Sequence, residues 1–152
     1  MKDRLLAAIR AELRARFDRL TRAAREAHAA ATDPGSKAEG KYDTRSLEAS
    51  YLAAGQAKQV DDLARDVELF ENASLPAFGM EDPIDAGALV EVDLNDEPQW
   101  FLLAPAAGGL SLDFEDREIT LLTPASALYQ KLLGLHCGDS LDDPPLFVSE
   151  VM

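Results

Sequence analysis

Few side chains in this 152-residue chain have the types and spacings that could do chemistry. His28, His136 and Cys137 show no recurrent metal-ligand spacing, so a zinc site is not expected. His136 and Cys137 are adjacent, and adjacent residues rarely face each other as a nucleophile and its base must. Asp139, Asp142 and Asp143 lack the glycine and the ligand spacing of a calcium loop. Gly108-Gly109 reads as a turn rather than a phosphate loop. What remains is a knot of charge around and beyond Asp33-Pro34-Gly35. It holds the acids Asp33, Glu39 and Asp43, with Lys37, Lys41 and Arg45 among them and Tyr42 alongside. Glu39 and Asp43 are four apart and can share one helix face. They can equally pair with Lys41 or Arg45 as a solvated surface.

Two long helical patterns must position that knot. Over residues 3–31 the apolar set is Leu6, Ile9, Leu13, Phe17, Leu20, Ala24, Ala27 and Ala31. Its steps of three and four make a seam of the coiled-coil kind. Over residues 44–72 a looser set follows: Leu47, Tyr51, Ala54, Ala57, Val60, Leu63, Val67 and Phe70. Pro34 and Gly35 break the chain between them, so the two helices fold back to hide their seams. Each arm of about 29 residues is ~44 Å long, enough to carry the charged tip far from a small body.

The second half changes period. Residues 88–94 alternate as a strand, 95–98 read as a turn, and 100–104 form a central apolar strand. Residues 110–114 and 118–122 read as two short strands about a turn at 115–117. A helix follows, with Thr123 at its N-cap, Pro124 at its first position and Gly134 past its end. Residues 146–151 form a last strand. The expected fold is therefore α+β: an antiparallel coiled-coil arm over 1–76, then a small antiparallel sheet with one helix over 77–152.

Composition narrows the function. Residues 1–31 carry eight Lys/Arg and four Asp/Glu, whereas residues 81–152 carry two and fifteen. That acidic half disfavours bare nucleic acid and suits a basic protein surface. No run approaches the length of a membrane span. The start, Met1-Lys2-Asp3-Arg4, has no apolar signal core, and one cysteine allows no internal disulfide. A cytoplasmic protein is expected.

Three stretches carry a resemblance. They are Ala38-Glu39-Gly40-Lys41-Tyr42-Asp43; Ile84-Asp85-Ala86-Gly87-Ala88-Leu89-Val90-Glu91-Val92; and Ile119 through Leu128, with Leu133-Gly134 and Gly138-Asp139 after it. In order and placement this resembles the Gre-type transcription elongation and transcript cleavage factors of bacteria. The resemblance implies an FKBP-like C-terminal domain that docks at the rim of RNA polymerase's secondary channel. It also implies a coiled coil that enters the channel, with acids at its tip helping to hold a second polymerase magnesium ion. Core RNA polymerase is then the partner, with no direct sequence-specific nucleic-acid contact and no membrane. The chain is not itself an enzyme and has no cofactor of its own beyond that polymerase-bound Mg²⁺. Carboxylates are hard ligands suited to Mg²⁺, and two metals can clamp an in-line phosphoryl displacement. Asp33, Glu39 and Asp43 are the acidic candidates at that metal, and Tyr42 and Arg45 the partner-binding ones.

Two departures from the family matter. Its tips usually carry two acids three apart; here Asp33 is followed at that spacing by Ser36, and Glu39 by Tyr42. A non-catalytic channel binder that competes with cleavage factors is therefore an alternative, as is a coiled-coil adaptor for another protein. The family's domain also closes with a hairpin after the Gly-Asp turn. Here only Ser140 to Met152 remain, interrupted by Pro144-Pro145, so the sheet either lacks a strand or is differently finished.

Overall fold

Thirty-one residues without Gly or Pro, rich in Ala, Arg and Leu, form the first helix, α1 (Lys2–Thr32). The second, α2, spans Arg45–Glu71. The computed structural model describes residues 1–32 and 45–152, with side chains for 1–30 and 54–152. After the helices come β1 (Leu89–Leu94), β2 (Glu97–Leu103), β3 (Ser111–Phe114), β4 (Arg117–Leu122), α3 (Ala127–Leu132), β5 (Ser140–Asp142) and β6 (Pro145–Val151). The architecture is α+β, as the periodicity predicts. No described helix is long and apolar enough to cross a membrane. The chain divides into two compact units: Ala11–Glu68, and Met1–Arg10 together with Leu69–Met152.

In the helical unit, Leu13 is fully buried, while Phe17, Leu20, Ala24 and Ala27 of the same seam are half-buried. On α2, Val60, Leu63 and Val67 are half-buried. Ala54 and Ala57, expected in the seam, are exposed. A methyl group has too little surface to hold a helix in one rotation when longer side chains nearby compete for the contact.

The sheet runs β3-β4-β2-β1-β6-β5. It is mixed rather than antiparallel, because β2 and β4 pair in parallel, Trp100 level with Ile119. Alternation reveals which face a residue takes but not which way a strand runs. Two tight turns shape the sheet. Asn95-Asp96 joins β1 to β2 and Glu115-Asp116 joins β3 to β4, all four at positive φ. That is the backbone of type I′ hairpin turns, whose twist matches the strands. Pro98, expected in a turn, lies inside β2 opposite Asp93. It sits one pair beyond the closing Leu94–Glu97 pair, where the missing N–H would face away from β1. The paired segment with β4 begins only at Trp100, so no hydrogen bond is lost there.

Of the two endings the sequence leaves open, the sheet is finished with a hairpin, β5 to β6. Pro144 makes the turn, after a cis Asp143–Pro144 bond, and Pro145 opens β6 opposite Asp142. Proline is tolerated at a strand's first residue, so the pair that looked like an interruption closes the hairpin. The helix cap also differs. Ser126, not Thr123, is the N-cap of α3, its hydroxyl accepting from the Tyr129 N–H.

Both faces of the sheet are buried. On one, Val90, Val92, Phe101, Leu103, Leu122 and Val148 meet Tyr129 and Leu132 of α3. On the other, Leu89, Leu102, Ile119 and Leu121 are equally inaccessible. Met1–Arg10 belong to this unit, with Leu5, Leu6 and Ile9 buried. The Lys2 ammonium donates to the carbonyls of Pro76 and Gly87 (2.8 Å to Gly87), and Arg4 pairs with Glu115 at 2.6 Å. The first turns of α1 thus serve as a second covering helix.

Arg10 fixes that cover to the end of α2. Its Nε donates to the Phe70 carbonyl at 2.7 Å, and its Nη2 to those of Glu71 and Ala73 at 3.1 Å. α2 has no basic residue in its own last turn, so its orphan carbonyls are capped from another helix. Gly87 (φ +88°) makes the entry to β1, and a Cβ there would meet Pro76 Cδ at 2.6 Å.

Arg10→Ala is expected to lower the unfolding free energy by about 2 kcal/mol, from lost charge-assisted hydrogen bonds, with Arg10→Lys recovering part. Gly87→Ala is expected to lower it by at least about 2 kcal/mol, through the left-handed backbone and the clash. Urea unfolding followed by circular dichroism measures both; parent-like midpoints would contradict the assigned roles.

Candidate functional site

The residues singled out in the sequence for the tip are not placed here. Asp33, Glu39, Tyr42 and Asp43 lie outside the described residues. Arg45 opens α2, but its side chain lies outside them too. The sites the structure does describe are on the arm and on the sheet.

On the helical unit, Arg16, Arg19, Leu20 and Ala23 of α1 and Leu63 of α2 line an open groove of about 520 Å³. The spacing 16, 19, 20, 23 puts all four on one helix face. The floor is apolar, and the arginines form one wall. Arg16 Nε lies 3.0 Å from Glu12 Oε1, and Arg19 Nη2 lies 3.7 Å from the same oxygen. One carboxylate thus serves two guanidinium groups. On α2, Asp62 pairs with Lys58 at 3.2 Å and with Arg65 at 3.6 Å. Asp66, one turn on, is held above the usual carboxylate range, first by burial and then by the charge of Asp62. Nearby, Thr21 Oγ1 and Gln56 Oε1 are buried with no hydrogen-bond partner among the described residues. The sequence lists Leu20 and Leu63 as seam residues but gives no sign of the groove. Arg16 and Arg19 read from sequence as a solvated face, and only the half-open seam beside them distinguishes them.

On the sheet, the face that carries Leu89 and Leu102 turns polar toward the far end of β1. Glu91 lies directly opposite Glu150, and Asp93 opposite Phe147. Phe147 is 45% exposed. Trp100, partnered with Glu91 across β1 and β2, is half-buried with the Arg117 guanidinium 4.4 Å from its ring centroid. Trp100 therefore both packs and presents a face.

The remaining candidates have structural partners. His136 Nδ1 is 3.5 Å from Asp139, and the Cys137 thiol donates to the Ser149 carbonyl at 3.2 Å. Among the described residues no three His, Cys, Asp or Glu side chains gather as metal ligands.

No family model matches the sequence, and no curated protein matches it. Among solved structures the chain is similar to the GreA factor homolog 1 (Gfh1) protein of Thermus thermophilus. Identity is 20%, 94% of each chain is covered, and the TM-score is 0.37. Agreement at that level establishes neither a shared fold nor a shared function.

Lys2 gives this region a titration of its own. Half-buried against Pro76 and Gly87, with the Phe78 ring 4.7 Å away, it is lowered by burial from 10.5 to about 8. Between those values the folded chain binds fewer protons than the unfolded chain, so stability rises with pH across that window. Below about 8 the seat must hold a partly desolvated cation, and that penalty is fully present. Lys2→Met removes the titrating group. The parent is therefore expected to gain stability relative to Lys2→Met as pH rises from about 8 to 10.5, in paired urea titrations. A flat difference would show that the ammonium is not desolvated there.

Proposed function

We propose that this chain is an RNA polymerase-binding elongation factor of the Gre type, acting in the cytoplasm through a two-helix arm that enters the secondary channel. One observation carries the reading. Residues of the second and third stretches that resemble the Gre family stand at the junctions on which this sheet depends. Gly87, Gly134 and Gly138 all have positive φ. Asp85 Oδ1 accepts from the Ala86 N–H at the entry to β1. Gly134 follows the last turn of α3 and donates its N–H to the Ile84 carbonyl, tying the second stretch to the third. Asp139 accepts from the His136 N–H, and its carbonyl accepts from Val148 across to β6. Ile84 and Gly134, fifty residues apart, are thus joined directly, which supports reading the two stretches as parts of one pattern.

The division of labour follows. The acidic sheet unit docks on a basic surface of the polymerase, and steering by its charge speeds encounter. The arm carries Asp33, Glu39 and Asp43 toward the polymerase magnesium, with Tyr42 and Arg45 contacting the channel. In this reading any RNA hydrolysis belongs to the polymerase; among the described residues no three His, Cys, Asp or Glu side chains gather as metal ligands. The acids' departure from the family spacing leaves stimulation or obstruction of cleavage as the quantity to measure.

Tagged protein is expected to retain core RNA polymerase, and less of it at high salt. Failure to retain it at micromolar concentrations would overturn the assignment. On stalled elongation complexes, Glu39→Ala and Asp43→Ala are expected to change the rate of transcript cleavage without changing retention. Equal rates for parent and both variants would remove the metal role from these acids.

A further inference from the structure

We propose that the open groove on the arm seats the same groove of a second copy of this chain, pairing two arms side by side into a four-helix bundle. The groove is an uncovered apolar strip: Leu20, Ala23 and Leu63 line it, and all three remain half-buried. A two-helix unit leaves such flanks wet, and a second pair of helices is the ordinary way to cover them.

The charges select this occupant. Over the described part of the helical unit, α1 carries Arg14, Arg16, Arg19, Arg22 and Arg25 against Glu12, Asp18 and Glu26, and α2 carries Asp61, Asp62, Asp66 and Glu68 against Lys58 and Arg65. Asp66 lies three residues beyond Leu63, on the same flank of α2, and makes no ion pair among the described residues. Asp62 and Asp66 are four apart, and like charges at that spacing repel on a helix. The unit therefore carries a surplus of cations on one helix and of acids on the other, on either side of one apolar strip. An isologous dimer needs such a self-complementary patch.

Electrostatics also choose the axis. A two-fold axis across the arms would lay α1 on α1 and set arginines against arginines. An axis along the arms lays α1 on the partner copy's α2, at the same level. Leu63 shares the groove with Arg16 through Ala23, so the arginines then meet the Asp62–Asp66 turn. Both copies point the same way, and Leu20 and Leu63 close the centre. The dimer does not depend on what the arm binds. Where the arm serves a narrow pore, pairing doubles its girth and withholds it.

Sedimentation equilibrium of the full chain tests this. At low salt the mass is expected to rise with concentration from 16.5 kDa toward twice that value, and to fall back as salt screens the contacts. Arg16→Glu with Arg19→Glu is expected to hold the chain as single copies, and so is Asp62→Lys with Asp66→Lys. An equimolar mixture of the two double variants restores the dimer, because one contact is then reversed in sign on both sides and the other is the native arginine–aspartate contact. Circular dichroism confirms that each variant keeps its helices. A single-copy mass at every concentration overturns the proposal. So does a mixture that fails to pair, or a Glu variant that pairs with the parent better than with the Lys variant. Retention of polymerase is measured separately, so loss of the dimer leaves the proposed function standing, and the reverse.

Discussion

The guanidinium of Arg10 is the constraint on which the base of this protein depends. It reaches across some sixty residues of sequence to close the end of α2, donating to three carbonyls in and just beyond its last turn. A helix end must satisfy those carbonyls somehow, and α2 supplies no basic residue of its own. Because the cap comes from α1, the beginning of one helix and the end of the other are registered by hydrogen bonds rather than by apolar fit alone. That registration is directional and short-ranged, so it fixes the first turns of α1 against the end of α2. Ile9, Leu13 and Phe70 are inaccessible to solvent. Hydrophobic burial supplies the stability there, and the arginine supplies the register.

Residues 1–10 therefore act twice. They continue the helix of the arm, and they cover a sheet face that would otherwise present Leu89, Leu102, Ile119 and Leu121 to water. Four side chains of that size are worth about 1.5–3 kcal/mol each when buried. Lys2, Arg4 and Arg10 are ordinary surface residues by type, yet each ends on a partner more than sixty positions away or close to it. The positive charge of the first helix is thus partly consumed in holding the body together, and only the arginines beyond it remain as an outward face.

Much of this was legible in the residues. Steps of three and four gave both helices within a residue or two, because a 31-residue run free of Gly and Pro has no competing structure. Asn95-Asp96 and the Glu115 turn could be read because short polar residues accept positive φ. The parallel pairing of β2 with β4 could not be read, since direction lies in connections and not in alternation. Pro144-Pro145 looked like a break because proline removes a donor. Pro144 makes the turn and Pro145 is the first residue of β6, positions at which proline is tolerated. Ser126 displaced Thr123 as a cap through a choice between two hydroxyls three residues apart. The arm groove was invisible for a different reason. Arg16 and Arg19 acquire meaning only beside a seam that stays half-open, and openness is a property of the pair of helices. The tip acids Asp33, Glu39 and Asp43 fall outside the described residues, and the sequence remains their whole account.

The borders of the sheet have a consequence for how the protein survives at high concentration. One border is β3, four residues long with Asp113 at its middle; the other is β5, three residues long and ending in Asp142. A foreign strand seeking to extend the sheet finds a ladder too brief to reward it and a carboxylate beside each rung. Growth toward fibres is thereby blocked at both ends, so the helices are left as the surface through which copies of this chain can recognise one another.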